Sequence, residues 1–214
     1  MTLLPPSILL QAYANGSFPM AIPSGQIIWP NPTKRGIIPL PSDTHWINKL
    51  PHGIRRDLRR FNWRITCNLS FQKVLLACAN RPETWISPTI ANSYLILHKL
   101  GFAHSVEVWL NDQLAGGLYG VHIGAAFFGE SMFHSVSGAS KVALVALIHS
   151  LAQSNFLLLD TQWLTPHLAL FGAIEIPRRK YLQLLHSALS QHTHFPLHAI
   201  QNFIPNLNPL PSQT

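Results

Sequence analysis

The hydrophobic pattern becomes regular from Trp63 onwards and predicts strands alternating with helices. The predicted strands span residues 63–68, 105–110, 113–122, 125–133, 156–160 and 173–176, and the predicted helices span 70–79, 88–100, 140–153, 165–170 and 178–190. The three successive strands between residues 105 and 133 are joined by the turn signals Asn111-Asp112 and Ile123-Gly124, which predict an antiparallel meander. This order indicates an α/β (α+β) fold with a mixed, centrally antiparallel sheet.

The first sixty residues are less regular. A helix is predicted over residues 4–15, and a stretch rich in Pro and Gly follows, with short extended pieces at 27–29 and 37–38. Residues 44–60 have a mostly helical pattern. We therefore predict a small N-terminal lobe (1–61), a main domain (62–190) and a loose C-terminal tail (191–214) that is rich in His, Pro and Asn.

Composition narrows the class of protein. Hydrophobic residues make up 47% of the 214 positions, which is enough for a buried core. No apolar run reaches the roughly 18 residues that a membrane-spanning helix needs, and the N-terminal region lacks a signal-peptide pattern. We expect a cytoplasmic protein. Two cysteines form neither a disulfide framework nor a metal knuckle, and phosphate-binding glycine motifs are missing, so no metal and no cofactor are expected.

The charge balance points to a polyanionic partner. Fifteen Lys and Arg residues face eight Asp and Glu residues, and the formal net charge is +7. On charge alone the partner could be RNA, DNA or an anionic membrane. One cluster consists of Arg55, Arg56, Arg59, Arg60 and Arg64, whose mutual repulsion in a helix is relieved when anions lie opposite. The cluster is interpreted as a phosphate contact, and the alternative is a solvated basic face.

Two of the eight acidic residues end apolar runs. Glu130 follows residues 125–129, and Asp160 follows residues 156–159. A carboxylate at the end of a buried strand costs several kcal/mol unless it is paired or hydrogen-bonded, so both are candidate functional residues. The alternative is a structural role as a cap or loop acceptor. Ser131 lies beside Glu130, but the sequence there lacks the final glycine of a hydrolase nucleophile elbow.

Six short motifs occur in order between residues 12 and 162. They are AYANGSFPM at 12–20, RGIIP at 35–39, TWI at 84–86, GGLYGV at 116–121, FGESMF at 128–133 and DTQ at 160–162. Together they resemble the leucyl/phenylalanyl-tRNA protein transferase family. Where the family usually has paired tryptophans, this chain has Trp29-Pro30. The resemblance and the order of elements fit a GNAT-like acyltransferase domain over residues 62–190.

The resemblance implies an enzyme that transfers leucine or phenylalanine from aminoacyl-tRNA to the α-amine of proteins beginning with Arg or Lys, which marks them for degradation. The implied partners are charged tRNA and these acceptor proteins, without DNA or membrane. Two alternatives stay open. One is a catalytically silent RNA-binding protein on the same scaffold, and the other is an aminoacyl-tRNA-dependent transferase that acts on another amine.

Site residues follow from the resemblance by position. Asp160 and Gln162 correspond to the catalytic pair, and the substrate-binding residues correspond to Glu130, Trp29, Trp85, Tyr94, Leu118 and Phe127. The resemblance places the aromatic residues Trp29, Trp85 and Tyr94 around the terminal adenosine or its aminoacyl group, whereas the pattern alone favours ordinary core for each of them. Leu118 and Phe127 are expected to line an apolar pocket. A neutral amide is a very weak base, so Gln162 is interpreted as a positioner of the attacking amine, polarised by Asp160.

Overall fold

The computed structural model describes residues 3–43 and 45–207. Its strands are β1 (Met20–Ala21), β2 (Ile27–Ile28), β3 (Lys34–Ile38), β4 (Arg64–Cys67), β5 (Ala103–Leu110), β6 (Gln113–Ile123), β7 (Ala126–His134), β8 (Leu158–Gln162) and β9 (Ile174–Pro177). Its helices are α1 (Pro6–Ala14), α2 (His52–Arg59), α3 (Phe71–Ala79), α4 (Pro88–Lys99), α5 (Ala139–Gln153), α6 (Pro166–Ala169), α7 (Arg178–Leu189) and α8 (Leu197–Gln201). A 3-10 helix spans Trp46–Lys49.

Seven of these strands form one sheet in the order β4-β5-β6-β7-β8-β3-β9. Neighbouring strands are antiparallel except β7 and β8, which pair in parallel. The predicted α/β class with a mixed, centrally antiparallel sheet is therefore confirmed. The GNAT type stays a prediction.

Each face of the sheet is covered by helices. Successive residues of β6 and β7 alternate between two apolar clusters, as the period of a strand requires: Leu118 and Phe127 face one side, and Tyr119 and Phe128 face the other. The first cluster includes α5, α2 and α8, and the second includes α1, α3, α4 and α7. Within the described residues, no helix has both the length and the apolar character needed to cross a bilayer.

The elements predicted between residues 63 and 190 are confirmed to within about two residues at most ends, because their apolar periods are strong. The irregular part of the chain departs more from expectation. β3 lies within the main sheet, between β8 and β9, although its residues belong to the predicted lobe. From the predicted tail, Phe195, Ile200 and Phe203 are buried in the core. Thr44 and tail residues 208–214 lie outside the described residues, and the domain boundaries stay predictions.

Candidate active site

A cavity of about 360 Å³ opens where β7 and β8 separate. The two strands pair in parallel up to Phe128 and Asp160, and the residues that follow on each strand line the cavity. Glu130 and Gln162 supply polar groups from the two strands. The apolar wall of the cavity consists of Leu118, Leu144, Leu147, Leu159 and Leu168. Aromatic side chains at the cavity are Trp85, Tyr119 and Trp163.

Two β-bulges shape this opening. Between β6 and β7 the register passes from Tyr119–Ser131 to Gly120–Gly129, so that Glu130 is the extra residue. Between β3 and β8 it passes from Gly36–Gln162 to Ile37–Asp160, so that Thr161 is the extra residue. A bulge disrupts the ladder locally and changes the direction of the side chains around it. Both strands are thus irregular at the cavity itself.

Glu130 is held by three neutral donors. The Tyr13 hydroxyl donates to its Oε1 at 2.7 Å, and the Tyr94 hydroxyl donates to its Oε2 at 2.8 Å. The side-chain amide of Gln162 donates to Oε1 at 3.0 Å. Burial raises the pKa of Glu130 to about 7, although the two tyrosine hydrogen bonds act in the opposite direction. The group can therefore exchange a proton near neutral pH.

Asp160 has a different environment, because a buried arginine pairs with it. The Arg35 Nε donates to Oδ1 at 2.9 Å, and Nη2 donates to Oδ2 at 2.7 Å. The Tyr181 hydroxyl donates to Oδ2 at 2.7 Å. The Arg35 guanidinium also lies between the rings of Phe18 and Tyr181, at 4.7 and 4.6 Å from their centroids. This network supports Asp160 beneath the cavity, which Asp160 itself does not line.

The predicted pair Asp160 and Gln162 is joined through the main chain. The backbone N–H of Gln162 donates to Asp160 Oδ1 at 2.8 Å, whereas the side-chain amide of Gln162 is held by Glu130. Gln162 has φ +65°, a left-handed conformation that is uncommon outside glycine. A short-range bond of this kind from an aspartate side chain to the backbone two residues on stabilises such a turn. Asp160 thus fixes the backbone of Gln162, and Glu130 fixes its amide.

The other predicted substrate residues are distributed unevenly around the cavity. Trp85 and Leu118 line it. Tyr94 is fully buried and reaches the site through its hydroxyl bond to Glu130. Phe127 is fully buried behind the wall, where it stacks on Phe195. Trp29 is 36% exposed and does not line the cavity.

The predicted tRNA-binding arginines lie on and after α2. Four of them, Arg56, Arg59, Arg60 and Arg64, are exposed, and Arg55 is partly buried. Lys141 of α5 donates to Asp57 of α2 at 2.7 Å, and this bond joins the helix that carries the arginines to α5. α5 also forms part of the cavity wall. The Arg64 guanidinium lies over the Trp109 ring and also pairs with the exposed Asp112 at 3.2 Å.

Sequence reasoning missed the residues that support the two carboxylates, namely Arg35, Tyr13 and Tyr181. The sequence does indicate a buried partner for Arg35, because this residue directly precedes the apolar strand segment Gly36-Ile37-Ile38, where an unpaired charge would be costly. Tyr119 was also missed. This residue lines the cavity, and its buried hydroxyl has no hydrogen-bond partner among the described residues.

Comparison with known proteins gives a consistent result. The family model described as leucyl/phenylalanyl-tRNA protein transferase matches residues 44–186, and the model of the N-terminal domain of such transferases matches residues 3–32. A Ruegeria pomeroyi protein of this name is 49% identical over 189 residues, which cover 87% of this chain and 88% of the relative. The namesake from Akkermansia muciniphila is 47% identical, with 88% and 97% covered. One from Cereibacter sphaeroides is 50% identical, with 90% and 88% covered.

Proposed function

Since the chain belongs to the leucyl/phenylalanyl-tRNA protein transferase family, we propose that it transfers leucine or phenylalanine from aminoacyl-tRNA to the N-terminal α-amine of proteins beginning with Arg or Lys. The enzyme is an aminoacyltransferase. The modified proteins are thereby marked for degradation, and the reaction takes place in the cytoplasm, where charged tRNA is found. The observation that carries the proposal is the cavity between β7 and β8, with an apolar wall and two positioned polar side chains.

The donor enters with its side chain against the leucine wall. Leu118, Leu144 and Leu159 offer an apolar surface with no charged group among them. One methylene in such a pocket changes binding by only about 1 to 3 kcal/mol, so discrimination among apolar side chains is modest. Against this wall a charged side chain would lose its hydration without gaining a partner, so aspartate and lysine are rejected. The aromatic face of Trp85 suits the terminal adenosine.

Transfer requires little activation, because the aminoacyl ester is already reactive. The α-amine attacks the ester carbonyl carbon, a C–N bond forms, and the bond to the ribose oxygen breaks. Gln162 donates its NH2 group to Glu130, which leaves its carbonyl oxygen to accept a hydrogen bond from the amine. Glu130 takes the proton that the amine loses, since its pKa is raised to about 7, and gives it to the ribose oxygen, which leaves as a hydroxyl group. Asp160 is a positioning residue in this scheme.

The deciding experiment follows radiolabelled leucine from charged tRNA into acceptor proteins that differ only at the N-terminal residue. Incorporation into a protein with N-terminal Arg, and little into the same protein with N-terminal Ala, is expected. Binding of charged tRNA without transfer to either acceptor would indicate a silent RNA-binding protein. Equal transfer to both acceptors, or transfer only to a small or peptidyl amine, would contradict the proposed acceptor.

A further inference from the structure

A second cavity of about 630 Å³ adjoins the first. Arg81, Met132 and His167 line both cavities, so the two meet at these side chains. The second cavity extends from there to Asn80, just beyond α3, and to Ser140 in the first turn of α5. Its volume falls within the range of roughly 300 to 1,000 Å³ in which proteins hold small ligands.

The chemistry of this second cavity is that of an anion site. None of its described lining residues is acidic, and hydrogen-bond donors are supplied by Asn80, Arg81, Ser135 and His134. The Nη2 of Arg81 donates to the Met132 carbonyl and to Ser131 Oγ at 3.4 Å. Arg81 is exposed and forms no ion pair within the described part of the chain. A guanidinium without a carboxylate partner is well suited to a phosphate, which it can bind through two parallel hydrogen bonds.

Arg81 lies at the junction of the two cavities, four residues from Trp85. Arg81 and Trp85 belong to the same loop between α3 and α4, and both line the first cavity. If the terminal adenosine lies on Trp85 with its aminoacyl group against the leucine wall, its 5′ phosphate leads towards the junction of the two cavities. The N-terminus of α5, with its positive dipole end, adjoins the same space.

From this arrangement we infer that the second cavity receives the 5′ phosphate of the terminal adenosine and the cytidine that precedes it in charged tRNA, with Arg81 paired to the phosphate. The inference rests on the proposed function and assigns a place to the part of the donor that precedes the terminal adenosine. The acceptor protein is a poorer occupant. Its N-terminal Arg or Lys would meet Arg81 and no carboxylate among the residues that line this cavity.

Two small donors test the inference. Leucyl-adenosine lacks the phosphate, whereas the leucyl ester of cytidylyl-(3′→5′)-adenosine carries both the phosphate and the cytidine. The quantity measured is the ratio of kcat/KM for the second donor to that for the first. In the unmodified enzyme the dinucleotide ester should be better by about tenfold, since a charge-assisted phosphate contact is worth on the order of 1 to 2 kcal/mol.

Arg81→Gln should bring this ratio close to one, and Arg81→Lys should restore part of it, because a lysine keeps the charge without the planar fork. Arg179→Gln, at an exposed position on α7, is the matched control and should keep the full ratio. A ratio that Arg81→Gln leaves at the unmodified value overturns the inference, as does an unmodified enzyme that does not favour the dinucleotide. Transfer from charged tRNA but from neither small donor overturns it too. Failure of every donor, charged tRNA included, refutes the proposed function instead.

Discussion

At the scale of single residues, the two buried carboxylates of the site have different tasks because they have different partners. Asp160 faces the Arg35 cation and accepts from Tyr181 as well, so its hydrogen-bonding capacity is used within the protein. Glu130 faces only hydroxyl and amide donors. Desolvation without a bonded cation favours the neutral form of Glu130. A paired carboxylate that fixes a backbone and a carboxylate with a raised pKa beside the cavity therefore lie on neighbouring strands.

The titration of Glu130 predicts how stability depends on pH. Its folded-state pKa of about 7 is raised above the ordinary 4.5, so its contribution to stability is fully present below about pH 4.5 and is lost as the pH rises to about 7. Glu130→Gln resembles the neutral form and does not lose this contribution. We expect the free energy of unfolding of Glu130→Gln, relative to the unmodified protein, to rise by a few kcal/mol between pH 5 and pH 8.

Denaturant unfolding of both proteins at several pH values measures this difference. Transfer by Glu130→Gln should fall by about 100-fold or more, which is typical for loss of a general base. A difference in unfolding free energy that stays constant from pH 5 to pH 8 would mean that Glu130 does not titrate in this range. An ordinary transfer rate in the variant would remove Glu130 from the proton transfer.

Asp160 permits a test of whether its charge or its position matters. Asp160→Asn leaves the Arg35 guanidinium buried without its counterion, so we expect a loss of about 3 to 5 kcal/mol in unfolding free energy. Adding Arg35→Met removes that charge, and much of the stability should return. The Asn carbonyl can still accept from the Gln162 backbone, so the double variant should transfer within about tenfold of the unmodified rate.

The comparison variant combines Arg35→Met with Asp160→Ala, which removes the acceptor for the Gln162 N–H. It should lose transfer by at least a further tenfold even where it remains folded. Single-turnover transfer at saturating donor, beside denaturant unfolding, gives both quantities. Full loss of transfer in a stable Arg35→Met, Asp160→Asn protein would show that the carboxylate charge itself is required.

At the scale of elements, β3 positions Gln162, because β3 pairs with β8 at the turn that contains this residue. Gly36 lies opposite Gln162, and a Cβ at Gly36 would lie 2.5 Å from the main-chain carbonyl carbon of Trp163. Only glycine allows this approach. Gly36→Ala should therefore displace the Gln162 turn and reduce transfer by at least about tenfold, together with a loss of about 1 to 3 kcal/mol in stability.

The matched control is Gly53→Ala on α2. Among the described residues, apart from the chain neighbours and the backbone of α2 itself, no atom lies within 4 Å of the added methyl group. Replacing a helical glycine by alanine stabilises by up to about 1 kcal/mol, so this variant should be as stable as the unmodified protein or more so. Thermal melting measures the stability of both variants, and transfer assays measure their activity. Unimpaired transfer by Gly36→Ala would mean that the β3–β8 pairing does not position Gln162.

The same elements show why the sequence predicts some features and leaves others hidden. Strong apolar periods predict β5 to β8 and α5, because these elements are buried. The period of a strand also places Asp160 and Gln162 two residues apart on one face. It cannot reveal the bulge at Thr161 or the left-handed Gln162, because both depend on pairing with β3, more than a hundred residues earlier. The Arg35 partner of Asp160 is hidden for the same reason.

At the scale of the whole molecule, the arginine cluster and the leucine wall of the first cavity belong to one side of the sheet. α2 packs with α5 in the apolar cluster that also contains Leu118 and Leu144 of the cavity wall. α7 belongs to the cluster on the other face. A tRNA whose acceptor end enters the cavities can therefore bring phosphates of its body to α2. In that arrangement the arginines of α2 contact phosphates directly, in addition to the general attraction between the net positive charge of the chain and RNA.

The last prediction separates these two effects through the salt dependence of charged-tRNA binding. Each lost phosphate contact should reduce the slope of log affinity against log salt by about one unit. Arg56 and Arg60 are the variants of choice because both are exposed, whereas Arg55 is partly buried and its replacement would disturb packing. Arg56→Gln with Arg60→Gln should reduce the slope by about two units, measured by equilibrium binding between low and physiological salt.

The control, Arg179→Gln with Lys180→Gln on α7, removes the same charge from exposed positions and should leave the slope nearly unchanged. Equal slopes for the two double variants would contradict docking on α2, because only the net charge would then matter.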